Sequence, residues 1–395
     1  MKKTVRDVDM TGKRVLIRAD FNVPLDGNGK ITDDTRIRET LPTLQYCRSK
    51  NARLILLSHL GRPDGQRMPK YSLKPVAQRL GELLGQPVGF VDDCLGPTVE
   101  KTAQGLAPGG VLLLENVRFY PEEERNDPAF ATALARLGEV YVNDAFGTAH
   151  RAHASTEGIA HHLPGVAGLL MEKEIKYLDE ALATPARPYV AILGGAKVSD
   201  KIGVISRLLE QVNRLLIGGG MSYTFLKSKG YAIGSSRLEA DKVGLAEELL
   251  EKAAQRKVTV LLPVDHVITD GMKRPDSQVK TVAVGGIPDG WEGVDIGPDT
   301  IKAFTAALAD AKTVVWNGPV GVFEDVRFAN GSRKVAEALA NLKGATTVIG
   351  GGDSAACVQQ FKLADRMTHI STGGGASLEY LEGKVLPGIA VLQER

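Results

Sequence analysis

The stretch YVAILGGAKVSDKI, residues 189–202, opens on a run with no polar face, halts at Gly194 and Gly195, and then passes Lys197 and Lys201. A strand apolar on both sides has to be covered on both sides, which is the situation of a parallel sheet between layers of helices. The glycine pair beside two cations suggests a phosphate site. Yet it has neither the G-x-x-x-x-G-K-[ST] spacing of a P-loop nor the G-x-G-x-x-G of a dinucleotide turn.

The same design recurs about ten times, each unit a β-branched or leucine-rich run, an abrupt polar or glycine stop, and an amphipathic stretch. The strand candidates are RVLIRADFNVP (14–24), RLILLSHLGRP (53–63), VLLLENVRF (111–119), EVYVNDAFGTAHR (139–151), RLLIGGGMSY (214–223), VTVLLPVD (258–265), TVVWNGPVG (313–321), TTVIGGGDSAA (346–356) and MTHISTGGGAS (367–377). The pattern predicts an α/β protein with two doubly wound parallel-sheet, Rossmann-like domains, and places ligands beyond the carboxyl ends of the strands.

Those ends divide by chemistry. Up to about residue 160 they carry Arg18, Asp20, Asn22, His59, Arg62, Arg118, Asp144 and Arg151, with Arg36 just beyond the first unit. Arginine forks grip phosphate or carboxylate bidentately, so this half suits a small, multiply anionic molecule. From residue 190 the ends carry glycine instead, at 194–195, 218–220, 318 and 321, 350–352 and 373–375. Glycine lets backbone N–H groups approach a phosphate, and a helix starting there adds roughly half a positive charge. Between the halves, GLLMEKEIKYLDEAL (168–182) has amphipathic helical spacing through Leu169, Leu170, Ile175, Leu178 and Leu182, and reads as a connector and hinge across a cleft.

Composition narrows the partners. The 395 residues are 43% hydrophobic, enough for two cored domains, and 49 basic against 47 acidic residues leave a formal charge of +2. No nucleic-acid or membrane partner is expected from that balance, so anion recognition has to be local. Cys47, Cys94 and Cys357 are widely spaced and odd in number, which fits reduced thiols in a cytoplasmic protein. No signal-like h-region follows the first lysines. His150, His153, His161 and His162 cluster without an H-E-x-x-H pattern or a nearby cysteine, and Pro164 interrupts them, so they are not read as a metal site.

The motifs RADFNVP, TDDTRI, SHLGRP, LENVRF, NDAFGTAHRAHAS, GGAKVSDKI, IGGGMSYTFLK, VWNGPVGVFE, GGGDSAA and HISTGGGASLEYLEGK resemble, in order and over essentially the whole chain, the phosphoglycerate kinase family. The resemblance implies reversible phosphoryl transfer between 1,3-bisphosphoglycerate and ADP, giving 3-phosphoglycerate and ATP with Mg2+, in glycolysis. It implies a monomer with a triose-binding domain at 1–167, a hinge at 168–183, a nucleotide domain at 184–375, and a segment 376–395 that returns to the first domain.

By resemblance the triose site comprises Asp20, Asn22, Arg36, His59, Arg62, Arg118 and Arg151. The nucleotide site comprises Gly194, Gly195, Lys197, Lys201, Gly218, Gly219, Gly293, Asn317, Pro319, Glu324, Gly350, Gly351, Gly352, Asp353 and Ser354. Arg36, Lys197, Gly351 and Gly374 would act on the transferring group, Asp353 would hold the metal, and Glu324 would bind the ribose hydroxyls. Two positions depart from the family pattern: Ala19 replaces the usual valine, and Met272 stands where an aromatic residue commonly adjoins the adenine. A nicotinamide dehydrogenase would need a G-x-G-x-x-G turn that is missing, and a two-lobed solute-binding protein would have no use for Lys197.

Overall fold

The computed structural model describes residues 1–395, except that the side chain of Leu182 lies outside the described residues. Two compact units emerge, one of residues 1–176 and 385–395, the other of residues 177–384.

The first unit is built on six parallel strands: β1 (Arg14–Arg18), β2 (Arg53–Leu57), β3 (Gly89–Val91), β4 (Val111–Leu114), β5 (Val140–Asn143) and β6 (Gly165–Ala167), in the order β3-β4-β2-β1-β5-β6. β1, β2, β4 and β5 are buried on both faces almost throughout, because all their residues but Arg14, Arg18, Arg53 and Asn143 are apolar or aromatic. Val15, Ile17, Leu54, Leu56, Leu113 and Val142 share one continuous core. β3 and β6, of three residues each, are too short to register in the sequence pattern.

The second unit repeats the plan with β7 (Tyr189–Leu193), β8 (Arg214–Ile217), β9 (Thr259–Leu261), β13 (Thr313–Asn317), β14 (Thr346–Gly350) and β15 (His369–Ile370), in the order β15-β14-β13-β7-β8-β9. Trp316, Val190, Ile192 and Ile349 lie at the centre of its core. Between β9 and β13 the chain makes a separate antiparallel sheet, β11-β10-β12, from β10 (Asp265–Thr269), β11 (Val279–Ala283) and β12 (Glu292–Ile296). The sequence reading does not foresee it. Its edge strand VKTVA is exposed almost throughout, so it lacks the apolar run that marks the other strands.

The predicted connector is the helix Leu169–Ala183. The division between units falls inside it, after Lys176, and the returning segment begins at Val385, whereas the sequence reading set 168–183 apart and began the return at 376. The cause is local packing. The first turn of the helix is capped by Asp144 of the first unit, while Tyr177 stacks on His369 and Asp179 accepts from the Tyr380 hydroxyl at 2.6 Å in the second.

Candidate functional site

In the first unit, β4, β2, β1 and β5 are neighbours, so their ends lie one strand spacing apart, about 4.8 Å each. Arg18 pairs in register with Leu57 on one side and Asn143 on the other, so the three chains leave the sheet at one level. The loops that follow carry Asp20 and Asn22, His59 and Arg62, Arg118, and Arg151. Arg36 joins them from the first turn of the helix Thr35–Ser49 by donating to Asp20 Oδ2.

Cross-strand bonds tie these loops together. Asn22 Oδ1 accepts from Gly61 N at 2.8 Å, Ser58 Oγ accepts from Phe21 N at 2.9 Å, and Arg118 donates to Gly61 O at 3.0 Å. Beneath them Arg18 is fully buried, donating from Nε to Ser155 Oγ at 2.7 Å and lying 3.2 Å from His59 Nδ1. Ser155 donates in turn to the buried Glu123, 2.6 Å from its hydroxyl and 2.9 Å from its amide.

Burial alone would raise the Asp20 carboxyl, but Arg36 leads the cations that hold it at about 2. Burial pushes His59 well below its ordinary value, with Asp20 opposing and Arg18, Arg118 and Arg36 reinforcing. A neutral His59 adds no charge to Asp20, so arginine carries that stabilisation. Arg62 is exposed and Arg36 and Arg151 are half-buried. The result is a mouth of forks over a rigid polar floor, suited to a small anion. A larger hollow of about 950 Å3 between residues 28–34 and 69–82 of this unit contains none of these groups, and its Arg79 is already paired with Asp34 and Glu82.

In the second unit, β8, β7, β13 and β14 are neighbours, and their ends carry Gly218–Gly219, Gly194–Gly195, Asn317–Pro319 and Gly350–Gly352. Gly194 donates to Asn317 O at 3.0 Å and Gly195 to Pro319 O at 2.9 Å. The fit leaves no room for a side chain, since a Cβ on Gly194 would lie 2.1 Å from Pro319 O. Ser354 Oγ accepts from Gly318 N at 2.6 Å. Lys201 is buried, donating to Asn317 Oδ1, and burial lowers its ammonium to about 8 against the pull of Asp200 and Asp353.

Lys197, by contrast, is exposed. The helix Gly352–Gln360 begins after Gly351, which has φ 88° and gives no side-chain cap, so its first N–H groups are open beside the exposed Asp353. Gly374, at φ 52°, starts the short helix Gly375–Leu381 in the same way. A cavity of about 320 Å3 lies alongside, lined among others by Gly195, Gly219, Gly293, Pro319, Glu324 and Asp353. Met272 also borders it.

Several residues in these sites carried no sequence signal. Glu239 accepts from Val198 N at 2.6 Å, Ser199 N at 3.1 Å and Ser199 Oγ at 2.5 Å, pinning the loop that presents Lys197. Tyr223, Arg237, His266 and Asp295 border the cavity. Glu239, Arg237 and His266 come from segments well apart from the glycine turns and only the fold makes them neighbours, whereas Tyr223 closely follows Gly218–Gly220 and Asp295 lies two residues after Gly293. The four clustered histidines go separate ways: His161 pairs with Glu157, His162 Nε2 lies 3.3 Å from Thr132 Oγ1, His153 lies beside the buried Glu123, and His150 accepts from Arg151 Nε at 3.2 Å.

Two parallel-sheet α/β units, one with arginines gathered at its strand ends and one with glycine turns there, make up a two-domain α/β protein. The sequence matches the phosphoglycerate kinase family over residues 5–384. Relatives include the phosphoglycerate kinase of Acaryochloris marina, 59% identical with 100% of this chain and 99% of that one covered. Another is the cytosolic phosphoglycerate kinase 3 of Arabidopsis thaliana, 58% identical over 99% of this chain and 98% of its own. The solved phosphoglycerate kinase of Coxiella burnetii superposes with a TM-score of 0.89 at 40% identity, covering 99% of this chain and 98% of that one. The chain belongs to the phosphoglycerate kinase family. It is a glycolytic kinase that moves a phosphoryl group between a phosphoglycerate and an adenine nucleotide.

Proposed function

We propose that the first unit binds the triose and the second the magnesium nucleotide, and that Lys197 serves the group in transit. The observation that carries this reading is the contrast between the strand ends: charged forks at four adjacent ends of one sheet, glycine backbone at four adjacent ends of the other. Arg36, Arg62, Arg118 and Arg151 bind the phosphate and carboxylate of 3-phosphoglycerate, with Asp20, Asn22 and His59 orienting them. Gly194, Gly195, Gly218, Gly219, Gly293, Pro319 and Glu324 hold the nucleoside, and Lys201, Asn317, Gly350, Gly352 and Ser354 shape the phosphate end.

Lys197, Arg36 and the backbone N–H groups of Gly351 and Gly374 neutralise charge on the equatorial oxygens of the migrating phosphoryl group, where catalysis is positioning and electrostatics. No general base is needed, because the acceptor in the reverse direction is a carboxylate already ionised at neutral pH. Among the described residues no group of three or more His, Cys, Asp or Glu forms a ready-made cage. Asp353 would hold Mg2+ through its carboxylate, a hard oxygen donor of the kind that ion takes together with nucleotide phosphates. When bound, the ion screens charge on the nucleotide phosphates.

Every residue assigned to these sites comes from a single chain, in keeping with a monomer. No helix among the described residues is long and apolar enough to cross a membrane, and relatives from Arabidopsis thaliana and Nicotiana tabacum are named cytosolic, which supports a cytoplasmic location. Calorimetry on Arg36→Ala and Arg151→Ala tests the assignment: both should weaken 3-phosphoglycerate and leave Mg-ADP nearly unchanged. Loss of nucleotide binding in either folded variant would sink it.

A further inference from the structure

We infer that Arg18 is a positioning residue that holds His59 as the neutral tautomer with its proton on Nε2, so that the triose site meets its anion with an N–H donor independent of protonation. The inference rests on the reading that places His59 in the triose site.

The argument is one of donor bookkeeping. A guanidinium carries five N–H donors and no acceptor. Arg18 is fully buried and oriented from three sides: Nε donates to Ser155 Oγ at 2.7 Å, one terminal nitrogen to Ala19 O, and the other lies 3.2 Å from His59 Nδ1. Only one polarity satisfies that last contact. Nδ1 must offer its lone pair, and the ring proton must then sit on Nε2. Ser155 and Glu123 lock the guanidinium from behind, so it cannot turn away.

Of the charged groups facing the ring, Asp20 alone favours an imidazolium, and three arginines oppose it. Asp20 Oδ1 lies 4.0 Å from Nδ1, too far for a hydrogen bond, and its other oxygen is taken by Arg36. Arg18, Arg36 and Arg118 all oppose a further positive charge, and burial of the ring opposes it most. An imidazolium would lose its charge as pH rose through its ordinary range near 6.5, whereas a neutral Nε2–H persists.

The test is nitrogen NMR on the full chain labelled with 15N-histidine, the His59 signals being identified by their loss in His59→Gln. From pH 6 to 8 the parent should show an unprotonated Nδ1 and a protonated Nε2, and added 3-phosphoglycerate should move Nε2. In Arg18→Met the ring should populate both tautomers and titrate toward neutral pH. The KM for 3-phosphoglycerate should rise about tenfold at pH 8 and less at pH 6, with kcat within about twofold. Arg18→Lys, which keeps a donor, should recover the parent tautomer. Comparing variant with parent at each pH cancels the titration of the substrate's own phosphate. A proton on Nδ1, or a charged ring, in the parent overturns the inference without needing any variant to fold. An unchanged ring in a folded Arg18→Met overturns it too. The expected tautomer with an Nε2 that ignores 3-phosphoglycerate overturns instead the placement of His59 in the triose site.

Discussion

Lys197 and Glu239 divide the work at the residue scale. Lys197 is exposed and unburdened by burial, so its charge is available to a ligand, while Lys201 four residues on is buried against Asn317. If Lys197 acts mainly in the transition state, Lys197→Ala should lower kcat by orders of magnitude and change Mg-ADP affinity far less. Equal losses of affinity and turnover would make it a ground-state phosphate ligand instead. Glu239 touches no proposed ligand, yet it accepts three bonds from the two residues after Lys197. Glu239→Ala releases that loop. We expect about a tenfold loss of kcat with folding intact, partly recovered by Glu239→Gln, which keeps an acceptor. Steady-state kinetics beside a circular-dichroism melt decides this, and unchanged kcat would show that the loop holds itself.

Helix capping follows one rule at the scale of elements: carboxylates far away in sequence cap helices that lack local caps. Asp144, after β5, accepts from Leu170 N and Met171 N at the start of the helix Leu169–Ala183. Asp265, in β10, accepts from Asp299 N and Thr300 N at the start of Pro298–Leu308, and Asp295, in β12, from Gly331 N at the start of Asn330–Asn341. These are the N2 and N3 amides that a local cap would otherwise satisfy. Asp265→Ala should therefore cost about 1–2 kcal/mol, more than an exposed cap, because buried N–H groups lose their acceptor. Denaturant melts measure it; a change below a few tenths of a kcal/mol would mean the helix is held by packing alone.

Two properties belong to the whole molecule. The chain passes between the units twice, after Lys176 and after Lys384, and the returning residues are built into the first unit. Gly388 N donates to Ala149 O, Asn143 Nδ2 to Gly388 O, and Gln393 joins Gly165 and Lys3, while Leu386, Ile389 and Leu392 are buried. Deleting residues 385–395 should lower the melting temperature of the first unit and weaken 3-phosphoglycerate binding, because Ala149 lies two residues from Arg151. Mg-ADP binding should be kept; a truncated chain with an unchanged calorimetric profile would show the tail is dispensable.

The second property is pH dependence. His59, His153 and His266 are held below 6.5 by burial, His153 at about 3 and His266 at about 4, so the unfolded chain binds more protons and stability falls as pH drops below 6.5. Asp144, raised by burial to about 6, and Asp295, raised to about 8, act oppositely: their contribution is full below 3.8 and is lost as pH climbs through those values. Stability should peak between pH 6 and 7 and decline toward pH 8 by at most about 1.4 kcal/mol per unit, the slope of one proton. Asp295→Asn should flatten that decline, and an equally steep decline in the variant would clear Asp295 of it.

Much was legible in the sequence because it is local. Runs such as VLLL at β4 and YVAIL at β7 are apolar on both faces, so their burial in parallel sheets follows from the residues alone, and so does the presence of glycine or arginine at each strand end. The short β3 and β6 and the exposed β11 lack such runs and stayed hidden. Strand order was decided only by tertiary structure: β4, β2, β1 and β5 are far apart in the chain, and their adjacency is what gathers Arg118, His59, Asp20 and Arg151 into one site. The same holds for Arg18 against His59, Glu239 behind Lys197, and Asp144, Asp265 and Asp295 as caps. The sequence alone determined which chemistry each strand end carries, because that needs only neighbours along the chain. Which ends meet, and which buried groups orient them, depends on pairings across tens to hundreds of residues that no local pattern encodes.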